Sequence, residues 1–428
     1  MVSDLYFNWH RFSPMTCYGS FMLDDSVVSH GGHRTMTIYF DHNATTPLHR
    51  EVLQEVIAAM ETRWHNASST HAPGLRARSD VEIAREEIAA LLGASLEEVI
   101  LTGGGTEAGN LAVIGASMAR RERGTHIVVS RVEHHAVLHA AAALERRGFD
   151  VTYADVDADG RVDPDAIVAS LRPTTVLVSV MHANNETGAI QPIGELGRRL
   201  RKRDILFHTD AVQTVGKLHI DVNDLGVDLL SLSAHKFHGP KGAGALYVRD
   251  GVEVEPLMHG GAQEEGIRPG TYNVPAIVGL GVAARLARRS IDENAGYIVS
   301  LVERLERGLL RIAPEAKILV DKRHRLHNTL TVCFPGENRE SLVTNLDLHG
   351  VAVSTGAACT AGASEPSHVL AAMGIGEATA RGAVRFSLGC TNAAQEVDAA
   401  LSALREVLGR KRGIIERLRD GFGILDSS

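Results

Sequence analysis

The sequence predicts an α/β protein with a mainly parallel β-sheet covered by helices on both faces, followed by a smaller α+β region. From about residue 75, short β-rich runs alternate with amphipathic helical segments, an order that is typical of parallel sheets. After about residue 290 this alternation stops, and long helical patterns enclose only a few β segments. The chain has 428 residues, of which 44% are hydrophobic, so it can form one large core and one smaller core.

The larger region is predicted to consist of short elements. Apolar residues at helical spacing predict helices over 75–92, 136–147 and 193–203. Apolar and β-branched runs predict strands at 98–101, 126–130, 150–153, 175–181, 205–208, 227–232 and 245–248. Because helices separate most of these strands, the strands are expected to lie in one mainly parallel sheet.

The smaller region begins with a predicted helix over 295–313, followed by β segments near 317–320 and 329–334 and by a long terminal helix. The segment IYFDHNATTP, which starts at Ile38, is expected to pack with this region. The resulting division of the chain is an N-terminal extension without clear period (1–35), a segment packing with the small domain (36–51), a large domain (52–290) and a small domain (291–428).

Composition and charge exclude several classes of protein. The formal net charge of −8 argues against a nucleic-acid-binding surface. The four scattered cysteines fit neither a disulfide framework nor a zinc site, so no metal is expected, and a reducing, cytoplasmic location is predicted. No apolar run approaches the roughly 18 residues of a membrane span, and residues 1–35 lack a signal-peptide pattern, so no membrane association is expected.

Asp210 and Lys236 are the most informative pair of residues. Lys236 follows a short apolar strand beside Ser233 and His235, which suits a lysine that forms a Schiff base. Asp210 follows the preceding predicted strand, where a buried carboxylate can keep the ring nitrogen of pyridoxal phosphate (PLP) protonated, as its role as an electron sink requires. Lys241 is the competing lysine, but its Gly-Pro-Lys-Gly turn is expected to be solvated. The pair therefore predicts a PLP enzyme.

Three further candidates also follow predicted strands. Thr106 lies in a glycine-rich turn that can approach a phosphate closely. His134 could stack on a cofactor ring, and the amide of Asn185 could donate to a cofactor oxygen or a substrate carboxylate. Taken alone, the glycine-rich turn fits an ordinary strand–helix turn equally well, and turn chemistry also explains Asn185. A surface or core histidine is the commoner interpretation of His134. Their common position beyond the carboxyl ends of the strands, where open parallel sheets bind ligands, supports the prediction of a site.

Two candidates lie in the smaller region. Cys359 stands in a run of small residues without helix or strand period, where a thiol can be a mobile nucleophile or simply idle. Arg385 offers the planar guanidinium that binds a substrate carboxylate in bidentate fashion, although a surface ion pair is the common alternative. The cations at 405–419 fit a docking patch or, more commonly, a solvated helix face.

A series of motifs in a fixed order extends from about residue 38 to the terminal helix. They are YFDHNATTP, GGGTEAGNLAV, VEHHAVL, MHANNETGAIQPI, FHTDAVQTVGKLHIDV, DLLSLSAHKFHGPKGAGALYVR, EEGIRPGTYNVP, VSTGAACTAGASEPSHVL and RFSLG. With these motifs the chain resembles the cysteine desulfurases of the NifS/IscS group, within the class V branch of the fold-type I PLP enzymes. The resemblance implies a large domain with a mainly parallel seven-stranded sheet between helices, and a smaller α+β domain that carries the reactive-cysteine loop.

The resemblance also implies roles for individual residues that bind the cofactor. Lys236 would form the Schiff base with PLP, Asp210 would pair with the pyridine nitrogen, and His134 would stack on the ring and assist proton transfer. Gln213 would hydrogen-bond the ring oxygen. The phosphate would be held by Gly105, Thr106, Ser233 and His235 and, across a homodimer, by Thr271 of the neighbouring subunit.

For the substrate, the resemblance implies that Arg385 and Asn185 bind the carboxylate of L-cysteine and that Cys359 accepts the sulfur. The products would be L-alanine and a persulfide on Cys359. That sulfur would pass to an acceptor or scaffold protein serving iron–sulfur cluster assembly, tRNA thiolation or DNA phosphorothioation. The alternatives are a selenocysteine lyase, another class V PLP aminotransferase or lyase, and a non-catalytic scaffold with this fold.

The sequence departs from the usual pattern of the group at three places. His65 opens a His-Asn-Ala-Ser-Ser segment that usually reads Gly-Asn-Pro-Ser-Ser, Glu265 stands where an arginine is common, and Ala357 replaces a serine near Cys359. None of these changes removes a chemical group that the reaction needs. We expect them to affect partner choice and loop behaviour.

Overall fold

A computed structural model describes residues 37–356 and 367–422 of the chain. The predicted extension at 1–35 and the predicted nucleophile Cys359 lie outside these ranges. Strands β1 to β12 are Ile38–Tyr39, Val99–Thr102, His126–Ser130, Asp150–Ala154, Thr175–Ser179, Leu206–Asp210, Leu229–Ser233, Gly244–Val248, Lys317–Ile318, Thr329–Cys333, Val351–Ala352 and Ala383–Ser387. Helices α1 to α13 are Arg50–Thr62, Ala72–Leu92, Gly105–Asn110, Ala116–Ala119, His135–Glu145, Pro164–Ala169, Ile193–Leu200, Val222–Leu225, Val274–Ile312, Arg339–Leu348, His368–Ala372, Glu377–Ala380 and Ala394–Phe422.

The central sheet has seven strands in the order β2-β8-β7-β6-β5-β3-β4. Strand β8 runs antiparallel to both of its neighbours, and the other pairs are parallel. Strands β3, β5, β6 and β7 are buried along their whole length, which explains why apolar residues occur on both of their faces rather than only at alternate positions. The predicted α/β fold with a mainly parallel seven-stranded sheet is confirmed.

Helix α9 begins at Val274, well before the helix that the sequence predicts at 295–313. Gly279 and Gly281 weaken the helical pattern there, because glycine is a poor helix former. Both glycines allow close packing: a Cβ on Gly281 would lie 2.5 Å from Ala84 Cα in α2, and one on Gly279 would lie 2.7 Å from Val56 Cγ2 in α1. The predicted domain boundary at 290/291 falls inside this helix of 39 residues.

Helix α9 contributes to two hydrophobic cores. Its first turns, including Ile277 and Leu280, pack in the core beneath the central sheet. Its last turns, including Leu305 and Leu309, pack in a second core with strands β10 and β12. A three-stranded antiparallel sheet in the order β12-β10-β9 forms one side of this second core.

The N-terminal segment joins both parts of the fold. Strand β1 pairs in parallel with β11, and Phe40 is fully buried in the second core. The residues that follow reach the central sheet, where the Thr46 amide donates to the His235 carbonyl at 2.9 Å. Among the described residues, no helix combines the length and apolar character that crossing a membrane requires.

Candidate functional site

A cleft of about 360 Å³ lies beyond the carboxyl ends of the central strands. Its walls come from the ends of β5, β6 and β7, the first turns of α3 and α5, and strand β12. The structure brings together in this cleft most of the residues that the sequence nominates: Gly105, Thr106, His134, Asn185, Asp210, Gln213, Ser233, His235, Lys236 and Arg385.

Lys236 leaves β7 through a short turn and points at the N-terminal segment. Its Nζ donates to the carbonyl oxygen of Asn43 at 2.6 Å and to that of Ala44 at 2.8 Å. These contacts hold the amine at the base of the cleft. Lys241, the competing lysine, is exposed to solvent.

Asp210 ends strand β6 and is 6% exposed. Burial raises the pKa of this carboxyl to about 6, although the Val212 amide, which donates to Oδ1 at 2.9 Å, and the Lys236 charge act in the opposite direction. Above that pH a buried negative charge faces the cleft. Such a charge favours a cationic partner such as a protonated ring nitrogen.

His134 caps the N-terminus of α5, with Nδ1 accepting the Ala136 amide at 3.1 Å. Burial, the Lys236 charge and nearby histidines hold its pKa near 4. The ring is therefore neutral around pH 7. Because Nδ1 accepts a hydrogen bond, the proton of the neutral ring is assigned to Nε2.

Gln213 lies on the turn after β6 and is 3% exposed. Its Nε2 donates to the Asn43 carbonyl at 3.0 Å, and its Oε1 accepts from Lys217 Nζ at 3.0 Å. Asn43 thus accepts from both Gln213 and Lys236 through one carbonyl oxygen. Its side chain also donates to Thr329 Oγ1 at 2.9 Å, which ties the cleft to strand β10.

Arg385, in strand β12, is almost completely buried beside the cleft. Nη2 donates to Asp41 Oδ1 at 2.5 Å and Nη1 to the Asn185 carbonyl at 2.7 Å. Within the described residues, Nε has no hydrogen-bond partner. The guanidinium is thus held by two contacts and keeps donor capacity for an anion.

The opposite end of the cleft combines small residues and hydrogen-bond donors. Gly104, at φ 146°, has a backbone conformation that only glycine adopts readily. A Cβ on Gly105 would lie 2.6 Å from Val212 Cγ2, so the backbone passes close to the turn after β6. The hydroxyls of Thr106 and Ser233 and the ring of His235 face the same space.

Thr271 does not line the cleft and is exposed on the segment before α9. Two ion pairs attach this segment to helices α3 and α2: Arg268 Nε donates to Glu107 Oε1 at 2.6 Å, and Arg85 donates to both oxygens of Glu264 at 2.7 and 2.8 Å. Glu107 Oε2 in turn accepts the Gly103 amide at 2.7 Å. The segment carrying Thr271 is therefore linked to the glycine-rich turn.

Two of the departures from the family pattern lie at the surface. Glu265 is exposed and has φ 56°, next to the buried Glu264 at φ 48°. His65 stacks on the exposed Trp64, with ring centroids 4.1 Å apart. Ala357 lies outside the described residues.

Several residues of the site are absent from the sequence-based prediction. Asn43 and Ala44 reach the cleft from a segment assigned only to the small domain, and His135 and His368 line its mouth with ring centroids 4.8 Å apart. The polar run Asp-His-Asn-Ala-Thr-Thr directly after a short strand is the signal that could have identified Asn43. No comparable signal marks His368, which reaches the site through tertiary packing.

Comparison with known proteins gives consistent matches along the chain. The sequence profile described as Aminotransferase class-V matches residues 38–400. The protein named Cysteine desulfurase IscS from Dictyoglomus turgidum is 44% identical over 377 residues, which cover 88% of this chain and 96% of that protein. A solved structure named NIFS-LIKE PROTEIN has a TM-score of 0.83 and 39% identity, covering 87% of this chain and 100% of its own. A second, SspA in complex with cysteine, has a TM-score of 0.71 and 37% identity, covering 83% of this chain and 100% of its own.

Proposed function

We propose that this chain, which belongs to the class-V aminotransferase family and is a PLP-dependent cysteine desulfurase, acts in the cleft at the carboxyl ends of the central strands. The observation that carries this proposal is the meeting of Lys236, Asp210 and Arg385 in that one cleft. An amine, a buried carboxylate and a buried guanidinium are the groups needed to attach PLP, to keep its ring nitrogen protonated and to bind an amino-acid carboxylate. The solved relative that holds cysteine supports L-cysteine as the substrate.

The residues present fit PLP. A volume of about 360 Å³ is within the usual range for a small-ligand site. Asp210 would hold the ring nitrogen, His134 the ring face and Gln213 the ring oxygen. The phosphate would be held by Gly105, Thr106, Ser233 and His235. When bound, PLP supplies an electron sink for the carbon atoms of the substrate.

Lys236 is proposed to attach the cofactor and then to act as a base. Once released, its amine can return to the carbonyls of Asn43 and Ala44, where the structure holds it. From this position it would move the proton of the substrate Cα atom. His134 is neutral around pH 7 and carries a proton on Nε2, so it would assist proton transfer by donating a hydrogen bond from Nε2.

Arg385 is proposed to bind the substrate carboxylate, with Asn185 beside it. Its buried guanidinium keeps donor capacity at Nε, and a carboxylate can take a bidentate pair from such a group. The sulfur of the bound cysteine would then be attacked by Cys359, which lies in the run 354–364 of the sequence.

Cys359 is proposed as the nucleophile that accepts the sulfur. Its thiolate would attack the sulfur of bound cysteine, so that a sulfur–sulfur bond forms and the carbon–sulfur bond breaks. The carbon keeps the electron pair and takes a proton, which gives L-alanine, while Cys359 is left as a persulfide. A sulfur-acceptor or scaffold protein would then collect this sulfur, in a reducing, cytoplasmic compartment.

A homodimer is proposed because Thr271 lies outside its own cleft, on an exposed segment. Large apolar side chains are exposed on α1, beyond its end and in the segment before Thr271, among them Met60 (61% exposed), Trp64 (68%) and Met258 (46%). Such residues are typical of a surface that a partner covers. A second copy of the chain would bury them and bring Thr271 to the neighbouring phosphate.

The function is tested with purified protein, L-cysteine and the variants Cys359→Ser and Lys236→Ala. With a thiol reductant present to release the persulfide sulfur as sulfide, we expect wild type to form alanine and sulfide in equal amounts, Cys359→Ser to lose alanine formation while keeping the absorption band of bound PLP, and Lys236→Ala to lose that band. A Cys359→Ser protein that still converts cysteine to alanine and sulfide would contradict the mechanism. Activity on selenocysteine alone would favour the lyase alternative.

A further inference from the structure

Lys217 contacts the cleft only indirectly, through residues that line it. Its Nζ donates to Gln213 Oε1 at 3.0 Å and lies 3.5 Å from Asn43 Oδ1. Burial, together with the nearby cations Lys236 and Arg385, lowers the pKa of Lys217 to about 7. A partly buried amine kept beside two other cations requires a reason beyond packing.

Two contacts fix the orientation of the Gln213 amide. Lys217 Nζ donates to the amide oxygen, and the carbonyl of Asn43, which only accepts, faces the NH2 group, so both contacts set the same orientation. One hydrogen of that NH2 group is used by the carbonyl of Asn43. The second hydrogen is available to an acceptor in the cleft that Gln213 lines.

We propose that Lys217 is a positioning residue that holds the Gln213 amide with its NH2 group towards the cleft, and thereby supplies a donor to the ring oxygen of bound PLP. This inference rests on the proposed function, in which Gln213 contacts that oxygen. Without Lys217 only the Asn43 carbonyl holds the amide, so its second N–H is less firmly directed into the cleft. When protonated, Lys217 also places a positive charge near the oxygen, which stabilises its ionised form.

The other titratable groups around Lys217 do not replace it. The rings of His42, His238 and His327 all sense its charge, and burial holds their pKa values near 3, 4 and 4, so they are neutral around pH 7. Arg385 is already paired with Asp41. Lys236 is the residue that would attach the cofactor. Lys217 is thus the cation placed to orient Gln213.

The experiment compares the PLP-loaded wild type with Lys217→Met, Lys217→Arg and the solvent-exposed control Lys241→Met. The pH midpoint of the absorption band of bound PLP is measured, together with kcat and KM for L-cysteine. Losing a nearby positive charge and a donor to the oxyanion makes the bound cofactor hold its proton more tightly, so Lys217→Met should raise the midpoint by about one pH unit. We expect kcat to fall about tenfold and KM to stay within about twofold, since Lys217 does not touch the substrate.

Lys217→Arg keeps a group that only donates hydrogen bonds, so the pH midpoint of its PLP absorption band should lie within about 0.3 pH units of the wild-type value. The midpoint of Lys241→Met should lie within the same range. A midpoint in Lys217→Met equal to that of Lys241→Met would overturn the inference, whatever the change in thermal stability. If the Met variant does not fold, Lys217→Gln gives the same comparison with the same expected rise. A wild type without the absorption band would instead contradict the proposed function.

Discussion

Arg385 Nη2 donates to Asp41 Oδ1 at 2.5 Å, and this contact joins strand β12 to the residues that follow β1. The Arg385 side chain is 2% exposed and that of Asp41 is 20% exposed. Asp41 therefore orients the guanidinium and neutralises its charge from the solvent side. A substrate carboxylate that binds Arg385 must do so beside this existing negative charge.

Asp41→Asn is expected to improve substrate binding. The amide oxygen of asparagine can still accept from Nη2, while the negative charge that repels a carboxylate is removed. We expect the KM for L-cysteine to fall about threefold with kcat nearly unchanged, since the repulsion from one partly exposed charge contributes up to about 1 kcal/mol. Steady-state kinetics measure both constants. An increase in KM would show instead that the charge of Asp41 is needed to hold Arg385 in place.

Arg385→Lys is expected to weaken substrate binding while preserving a positive charge. Lysine cannot form the bidentate contact and would not reach Asn185 and Asp41 together. Losing one charged hydrogen bond corresponds to about 1.5 to 3 kcal/mol, so KM should rise about 10- to 100-fold. The matched control is Arg381→Lys, at an exposed arginine paired with Glu377, which should leave KM within about twofold. Equal KM values for the two variants would show that Arg385 does not bind the substrate carboxylate.

His208 is expected to make the protein less stable in mild acid. It lies fully buried in β6, 2.8 Å from Ser179 Oγ, and burial lowers its pKa to about 3. Below pH 6.5 the unfolded chain takes up a proton at this histidine that the folded chain does not. Its contribution to the free energy of unfolding therefore decreases as the pH falls from about 6.5 towards 3.

Denaturant unfolding of wild type and His208→Gln at pH 7.5, 6 and 5 measures this contribution. The loss of stability between pH 7.5 and 5 should be smaller by about 1 to 2 kcal/mol in His208→Gln. Glu133 and Asp210, whose pKa values burial raises to about 8 and about 6, act in the opposite direction but are the same in both proteins. His219→Gln, at an exposed site, should follow wild type. Parallel curves for His208→Gln and wild type would disprove the assignment.

The fold could be predicted from the sequence because each central strand is buried on both faces and therefore forms an apolar run. The start of α9 could not be predicted, because Gly279 and Gly281 weaken the helical pattern of the sequence. These glycines are required by the close approach of α9 to α1 and α2, which is visible only in the three-dimensional structure. A prediction from local sequence sees only the weak helix formers, whereas tertiary packing determines the helix.

The position of the cleft could be predicted from the rule that ligands bind beyond the carboxyl ends of parallel strands. Site residues that reach the cleft through long-range contacts could not be predicted in this way. Asn43 is an example, since it contacts Lys236 across 193 positions of the chain. The orientation of Gln213 by Lys217 likewise depends on the fold of one turn. The catalytic roles of Lys236, His134 and Cys359 remain predictions, and the Lys236→Ala and Cys359→Ser variants test two of them.

Glu264→Gln is expected to destabilise the protein strongly, because Glu264 is the buried partner of Arg85. Its carboxylate accepts two bonds from Arg85 and the Leu101 amide at 2.7 Å, so three donors converge on one side chain that is 1% exposed. Glutamine has the same shape but leaves the guanidinium without its counter-charge. Removing one partner of a buried pair costs about 3 to 5 kcal/mol.

The matched control is Glu195→Gln, which breaks an exposed pair with Arg199 and should cost less than about 1 kcal/mol. Denaturant unfolding at pH 7.5 gives both values. Because Glu264 also anchors the segment that carries Thr271, the variant should retain PLP less well than Glu195→Gln even at temperatures where both are folded. A loss of stability equal to that of Glu195→Gln would show that other groups compensate the charge of Arg85. Unchanged PLP retention in Glu264→Gln would show that the Arg85–Glu264 pair does not influence the cofactor site.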